Sequence, residues 1–213
     1  MREKKFSRCH ADERKNLLVR SAIRCLELEG YAGLSVRKIT KEANVSQGMI
    51  NHHFGSMNAL ITYTYEVLSK EFLQAVTEVS DSDKTPIEKL DAFFHLNFAA
   101  KTLNPMTLKA WLVFWSLIPD SPQMADAYSI NDQKVKNLLI KLLIEVSEEH
   151  NLTIDDLPNI SENLMALLDG LWVRECLGGV NNTAKDASEN ASEHALKIAR
   201  DWVKLFLGGV FSS

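Results

Sequence analysis

Two groups of residues in this sequence have types and spacings suited to chemistry. The first is the polar run Ser46-Gln47-Gly48-Met49-Ile50-Asn51-His52-His53. Gln47 and Asn51 each present a donor and an acceptor together, as an adenine edge in the major groove requires. Gly48 allows close approach of the backbone, and His52 and His53 remain on the polar side of the run. Ser46 and Thr40 suit phosphate oxygens. Arg37, Lys38 and Lys41 add positive charge, which a phosphate backbone attracts.

The second group is aromatic. Trp111 and Trp115 lie one helical turn apart with Phe114 beside them, and Phe98 lies on the preceding segment. Asp169 and Trp172 are three residues apart, hence on one face of a helix. Indole faces attract a quaternary ammonium by about 2 kcal/mol or more when desolvated, and a carboxylate nearby supplies countercharge. Asp169 among Leu167, Leu168 and Leu171 costs several kcal/mol if buried alone. It therefore calls for a cation: a ligand, Arg174 or a lysine. The same aromatic stripe also fits plain core packing.

Other chemistries find no support. There is no P-loop, GxSxG or HExxH. A carboxylate oxidase on a helical scaffold needs two Glu-x-x-His pairs, and Glu148-Glu149-His150 has the wrong spacing. Adjacent histidines do not share a helix face, and a two-histidine metal site needs further ligands. No enzyme activity, metal or cofactor is expected. Cys9, Cys25 and Cys176 form no CxxC and read as reduced thiols of a cytosolic protein. No window reaches the roughly 18 apolar residues of a membrane helix. The basic start has no apolar signal core behind it, so a cytoplasmic location is expected.

The chain of 213 residues is 46% hydrophobic, which excludes disorder and leaves room for one large domain or two smaller ones. Its charge is unevenly distributed. Residues 1–53 carry +5 and the rest −9. A basic head on an acidic body suits a polyanionic partner at the head.

Helical periods dominate and no run alternates with period two. Helices are expected over about 12–29, 36–43, 47–53, 57–80, 86–101, 105–117, 123–149, 161–177 and 191–207. Ser35 and Ser46 are candidate caps. Thr85-Pro86-Ile87-Glu88 combines Thr at the N-cap, Pro at N1 and Glu at N3. Residues 36–53, two short helices joined at Asn44-Val45, have the spacing of a helix-turn-helix.

Gly30-Tyr31-Ala32-Gly33-Leu34-Ser35-Val36-Arg37-Lys38-Ile39 and Asn44-Val45-Ser46-Gln47-Gly48-Met49-Ile50-Asn51-His52-His53-Phe54 resemble the N-terminal domain of the TetR family. The likeness covers residues 12–60 without a gap. One departure is Met57, where the family usually carries a lysine that touches phosphate; another is His53 in place of the commoner tyrosine. The segments W-L-x-F-W and L-x-D-G-L-W-x-R resemble the choline-responsive BetI subgroup of that family. The resemblance implies an all-α protein of about nine helices. Residues 1–56 would be a helix-turn-helix DNA-binding domain, and 57–213 a ligand-binding and dimerisation domain. It implies a homodimer on double-stranded operator DNA, repressing genes of choline uptake and glycine betaine synthesis until choline or a similar small-molecule effector binds. The DNA-contacting residues would be Arg37, Lys38, Thr40, Ser46, Gln47, Gly48, Asn51, His52 and His53. The effector would meet Phe98, Trp111, Phe114, Trp115, Asp169 and Trp172. The last two helices would pair across the dimer, setting the recognition helices about 34–36 Å apart. Two rival readings are a repressor that answers an unrelated apolar ligand and a helical interaction module without DNA binding. Salt-dependent DNA binding separates the module from a repressor.

Overall fold

The computed structural model of the chain describes residues 2–98, 105–179 and 185–206. Among these residues it contains nine α-helices and no strand: α1 (Arg2–Glu29), α2 (Val36–Glu42), α3 (Gly48–Phe54), α4 (Met57–Ser80), α5 (Pro86–Phe98), α6 (Pro105–Leu117), α7 (Pro122–Glu149), α8 (Leu157–Gly179) and α9 (Lys185–Phe206). Short 3-10 turns fill Gly30–Gly33 and Ile118–Asp120. Helix α1 begins about ten residues earlier than its apolar period suggests, because residues 2–11 contain no Gly or Pro to stop it. Helices α7 and α8 take in Pro122 and Pro158 within their first turn, where the missing amide hydrogen costs nothing. Lys101, the expected end of α5, lies outside the described residues, as does the loop 181–183.

The caps expected at Ser35 and at Thr85–Glu88 form. Ser35 is extended and its hydroxyl accepts the Lys38 amide. At the start of α5, Glu88 accepts hydrogen bonds from the Thr85 amide and hydroxyl, each at 2.9 Å. Those two bonds hold the Glu88 carboxyl below its usual range. The α2–α3 turn is a Schellman motif. Asn44 sits in the left-handed region at φ 51°. Val45 donates to Thr40 O at 2.9 Å and Asn44 to Lys41 O at 3.1 Å. Helix α7 ends the same way, with Asn151 left-handed and Leu152 bonded to Ser147 O.

The chain divides into two compact units, Met1–Ser69 with Lys109–Ser129, and Lys70–Leu108 with Ile130–Ser213. The first holds two apolar clusters. One joins α1, α2, α3 and α4 through Leu18, Val19, Ala22, Ile39, Ile50 and Leu60. The other joins Leu26 of α1 with Ile61 and Tyr65 of α4, Ala110, Val113 and Phe114 of α6, and Met124 of α7. The second unit is built on Phe93, Phe94 and Phe98 of α5, Leu139, Leu142 and Val146 of α7, Leu164 and Leu168 of α8, and Ala195, Ala199 and Val203 of α9. Arg200 on α9 grips Asp91 on α5 with a two-pronged bond of 2.6 and 2.9 Å. The end of α5 is held by other helices: Trp172 Nε1 donates to Asn97 O at 2.9 Å, and the Ser192 hydroxyl donates to Phe98 O.

Gly33 is required by space. A Cβ there would stand 2.1 Å from the carbonyl oxygen of Cys25, a backbone atom that no rotamer change can move. Gly33→Ala is expected to cost roughly 3 kcal/mol or more, read by urea unfolding. Gly48→Ala meets nothing within 4 Å and should stay within about 0.5 kcal/mol of the parent. Equal stability of the two variants would contradict this packing.

Candidate functional site

The polar candidates of the head fall on α3 and the turn before it. Ser46, Gln47, Gly48, Asn51 and His52 are all exposed, while Met49 and Ile50 turn inward, Ile50 completely. The seven residues of α3 thus divide into an apolar side that anchors the helix to α1, α2 and α4 and a polar side open to solvent. Ser46 holds the helix start through its carbonyl, which accepts the Met49 amide at 3.0 Å, and Gln47 at the N-cap makes no side-chain cap bond. The backbone therefore replaces the expected hydroxyl cap. Gly55 ends the helix at φ 80° and donates to Asn51 O at 3.0 Å.

Three of the expected contacts have other surroundings. Thr40 is buried, and its hydroxyl donates to Val36 O at 2.7 Å, apart from the exposed row on α3. Lys38 reaches Glu29 and Ala32 O, so its charge is already compensated; Arg37 stays exposed. His53 is half-buried, with Nε2 enclosed and lacking a hydrogen-bond partner. Burial, then His52, Arg14 and Lys15, push its pKa below 6.5. Its ring meets that of His52 edge-on at 4.7 Å. Sequence reading misses Lys15, which stands 5.9 Å from the centre of the Phe54 ring. Nothing local announces a contact between residues 15 and 54, which depends on how α1 crosses α3.

The aromatic candidates divide between the two units. In the first, Tyr65, Trp111 and Phe114 form a mutually edge-on triad with centroids 5.6, 5.7 and 6.0 Å apart. Phe114 is sealed, and Trp111 and Trp115 are half-buried. Tyr65 is a second residue that sequence reading misses; its signal is the apolar step Ile61-Tyr65-Leu68 on α4. In the second unit Phe98 is sealed in the core, and half-buried Trp172 packs against that core with its indole N–H on Asn97 O.

Asp169 carries the most perturbed carboxyl. Burial pushes its pKa up to about 6, helped by Asp132 and Glu162. Asp132 is raised by burial and by Glu162, although Lys136 works against this. Lys136 itself pairs with Glu162. Arg174, one candidate partner for Asp169, is exposed, and no ion pair reaches Asp169 among the described residues. Also among them, no group of three His, Cys, Asp or Glu side chains could hold a metal ion, and no helix is long and apolar enough to cross a membrane.

Comparison with known proteins places this geometry. The profile of the family described as "Bacterial regulatory proteins, tetR family" matches residues 18–64, and that of "BetI-type transcriptional repressor, C-terminal" matches residues 86–203. The chain belongs to the TetR family, with a C-terminal domain of the BetI type. The HTH-type transcriptional regulator BetI of Pectobacterium carotovorum is 31% identical over 90% of this chain and 92% of its own. BetI of Pseudomonas aeruginosa is 29% identical over 89% of this chain and 91% of its own. A transcriptional regulator of Pseudomonas aeruginosa PAO1 superposes with TM-score 0.79 at 30% identity, covering 98% of this chain and 97% of that one. A regulator from Saccharomonospora viridis, solved in complex with choline, shares the fold at TM-score 0.76 and 17% identity over 91% and 96%. These TetR-family relatives are regulators of transcription rather than enzymes, and the all-helical fold with an N-terminal helix-turn-helix is theirs too.

Asp169 gives a pH signature. Its folded pKa of about 6 lies above the ordinary 3.8, so between those values the folded state holds more protons than the unfolded one. Stability is therefore lost as pH rises through that window. Asp169→Asn is expected to stabilise the ligand-free protein by roughly 1–3 kcal/mol at pH 7.5, with the difference vanishing near pH 4. Denaturant unfolding at the two pH values checks it; an Asn variant less stable at pH 7.5 contradicts it.

Proposed function

We propose that this TetR-family regulator is a repressor whose hold on operator DNA is released by choline or a similar quaternary ammonium compound. Its genes would be those of choline uptake and glycine betaine synthesis. The observation that carries this reading is Asp169: a carboxylate raised by burial and by two acidic neighbours, without an ion-pair partner among the described residues. A permanent cation lowers the cost of keeping that group ionised. Trp172, three residues along α8, offers a half-buried indole. The BetI name of the relatives and the choline bound to the Saccharomonospora viridis regulator support the same ligand class.

In this reading residues 1–56 bind DNA in the cytoplasm, and 57–213 bind the effector and pair with a second copy. Half-buried Ile198 and Trp202 and the exposed Leu205 on α9 suit such pairing. The effector must bind more tightly to the conformation that holds the heads off the operator, since equal affinity for both states shifts nothing.

Asn51, exposed on α3, would read a base edge. Asn51→Ala is expected to weaken operator binding roughly 10- to 100-fold, the loss of one bidentate base contact, without changing the thermal midpoint; an unchanged footprint refutes that role. Choline titrated into the protein should quench tryptophan emission and release the operator duplex, and Asp169→Asn should blunt both effects while leaving DNA binding intact. If neither emission nor DNA binding responds up to millimolar choline, the ligand claim fails and the repressor stands.

A further inference from the structure

We propose that Lys15, on α1, is a phosphate-contacting residue of the head and supplies the cation that the turn between α3 and α4 lacks. The proposal rests on the reading that α3 enters a DNA groove.

The residues that lead from α3 into α4, the turn Gly55-Ser56 and the first two of α4, Met57-Asn58, carry no charge. Their apolar member is turned inward: Met57 is half-buried and packs against both apolar clusters of the first unit. Ser56 is occupied in capping α4, its hydroxyl accepting the Ala59 amide at 3.1 Å. A phosphate lying against this end of the recognition helix would find no cation in the turn itself.

Lys15 stands in that place from another helix. Its ammonium lies 5.9 Å from the centre of the ring of Phe54, the last residue of α3. The Phe54 ring is in turn fixed against Tyr63 of α4 at 5.5 Å. A cation over a ring face is held by the quadrupole, which leaves N–H donors for an oxygen acceptor. The side chain is half-buried, so little freedom remains to be lost when it binds.

The surroundings of Lys15 match a polyanion. Arg14 and Lys15 from α1 and His52 from α3 are the charged and titratable groups that act on His53, and all bear on it with the same sign. No carboxylate pairs with Lys15 or Arg14 among the described residues. Two other basic residues of the head are already compensated: Lys38 pairs with Glu29, and Arg24 pairs with Glu42 at 2.9 Å. Arg14 and Lys15 thus present positive charge that no carboxylate offsets, and a phosphate there supplies the counterion.

The test uses the full-length protein and an operator duplex that it selects from a random-sequence library, with affinity measured across a salt series. Lys15→Gln is expected to reduce the slope of log K against log salt by about one per head and to weaken binding to every duplex alike. The conservative variant Lys15→Arg, which keeps a cation at this place, should keep the slope of the parent. A merely structural Lys15 would change stability but leave the slope at its original value, and a slope in Lys15→Gln equal to that of the parent overturns the proposal. A second measurement needs no variant: lysine acetylation of the unmodified protein followed by mass spectrometry. Saturating duplex should slow acetylation of Lys15 relative to exposed Lys134; unchanged acetylation of Lys15 also overturns it. If the parent protein selects no duplex at all, the reading of α3 fails and Lys15 falls with it. A duplex bound with an unaltered slope condemns Lys15 alone.

Discussion

The turn at Asn44 sets the direction in which α3 leaves α2, and whatever the head does depends on that direction. Two crossed backbone bonds define it, Val45 to Thr40 O and Asn44 to Lys41 O. They require one residue in the left-handed region, which asparagine tolerates better than most. Ile39 and Ile50 on either side are fully buried, so the turn is locked by apolar contact as well. Thr40 belongs to this framework twice. Its carbonyl closes the turn, and its hydroxyl returns to Val36 O. A residue that reads as a phosphate ligand is, in the folded chain, part of the brace that presents the exposed ones.

Local chemistry explains what was legible beforehand. Ser35, Asn44 and the Thr85–Glu88 capping box act over three or four residues, so their types and spacing name their structure. The inward Ile50 and outward Asn51 follow from the helical period. What stayed hidden depends on helices far apart in sequence. The pairing of Lys15 with Phe54, the triad of Tyr65 with Trp111 and Phe114, and the pressure of Asp132 on Asp169 are products of packing. So is the engagement of Lys38 by Glu29, which no spacing rule announces. Phe98 and Phe114 show the ambiguity of aromatics: helical spacing placed them among ligand candidates, and their complete burial makes them pillars of two separate cores.

The second unit deals with charge in two contrasting ways. Arg200 and Asp91 satisfy each other with paired bonds between α5 and α9. That pair resembles a rivet: geometry and charge both close. Asp169, Asp132 and Glu162 instead add repulsion to burial, and Lys136 turns to Glu162. Burial and two acidic neighbours disfavour the charged form of Asp169, and on the proposed reading a cationic effector would offset that cost.

The fastening of α5 has a mechanical consequence. The last carbonyls of a helix are ordinarily left to water or to a local cap. Here Asn97 O is taken by Trp172 of α8 and Phe98 O by Ser192 of α9. The end of α5 cannot fray without drawing a tether from each of two other helices. The three should therefore melt as a single piece, and slow amide exchange in the final turn of α5 would report the integrity of α8 and α9 as faithfully as its own.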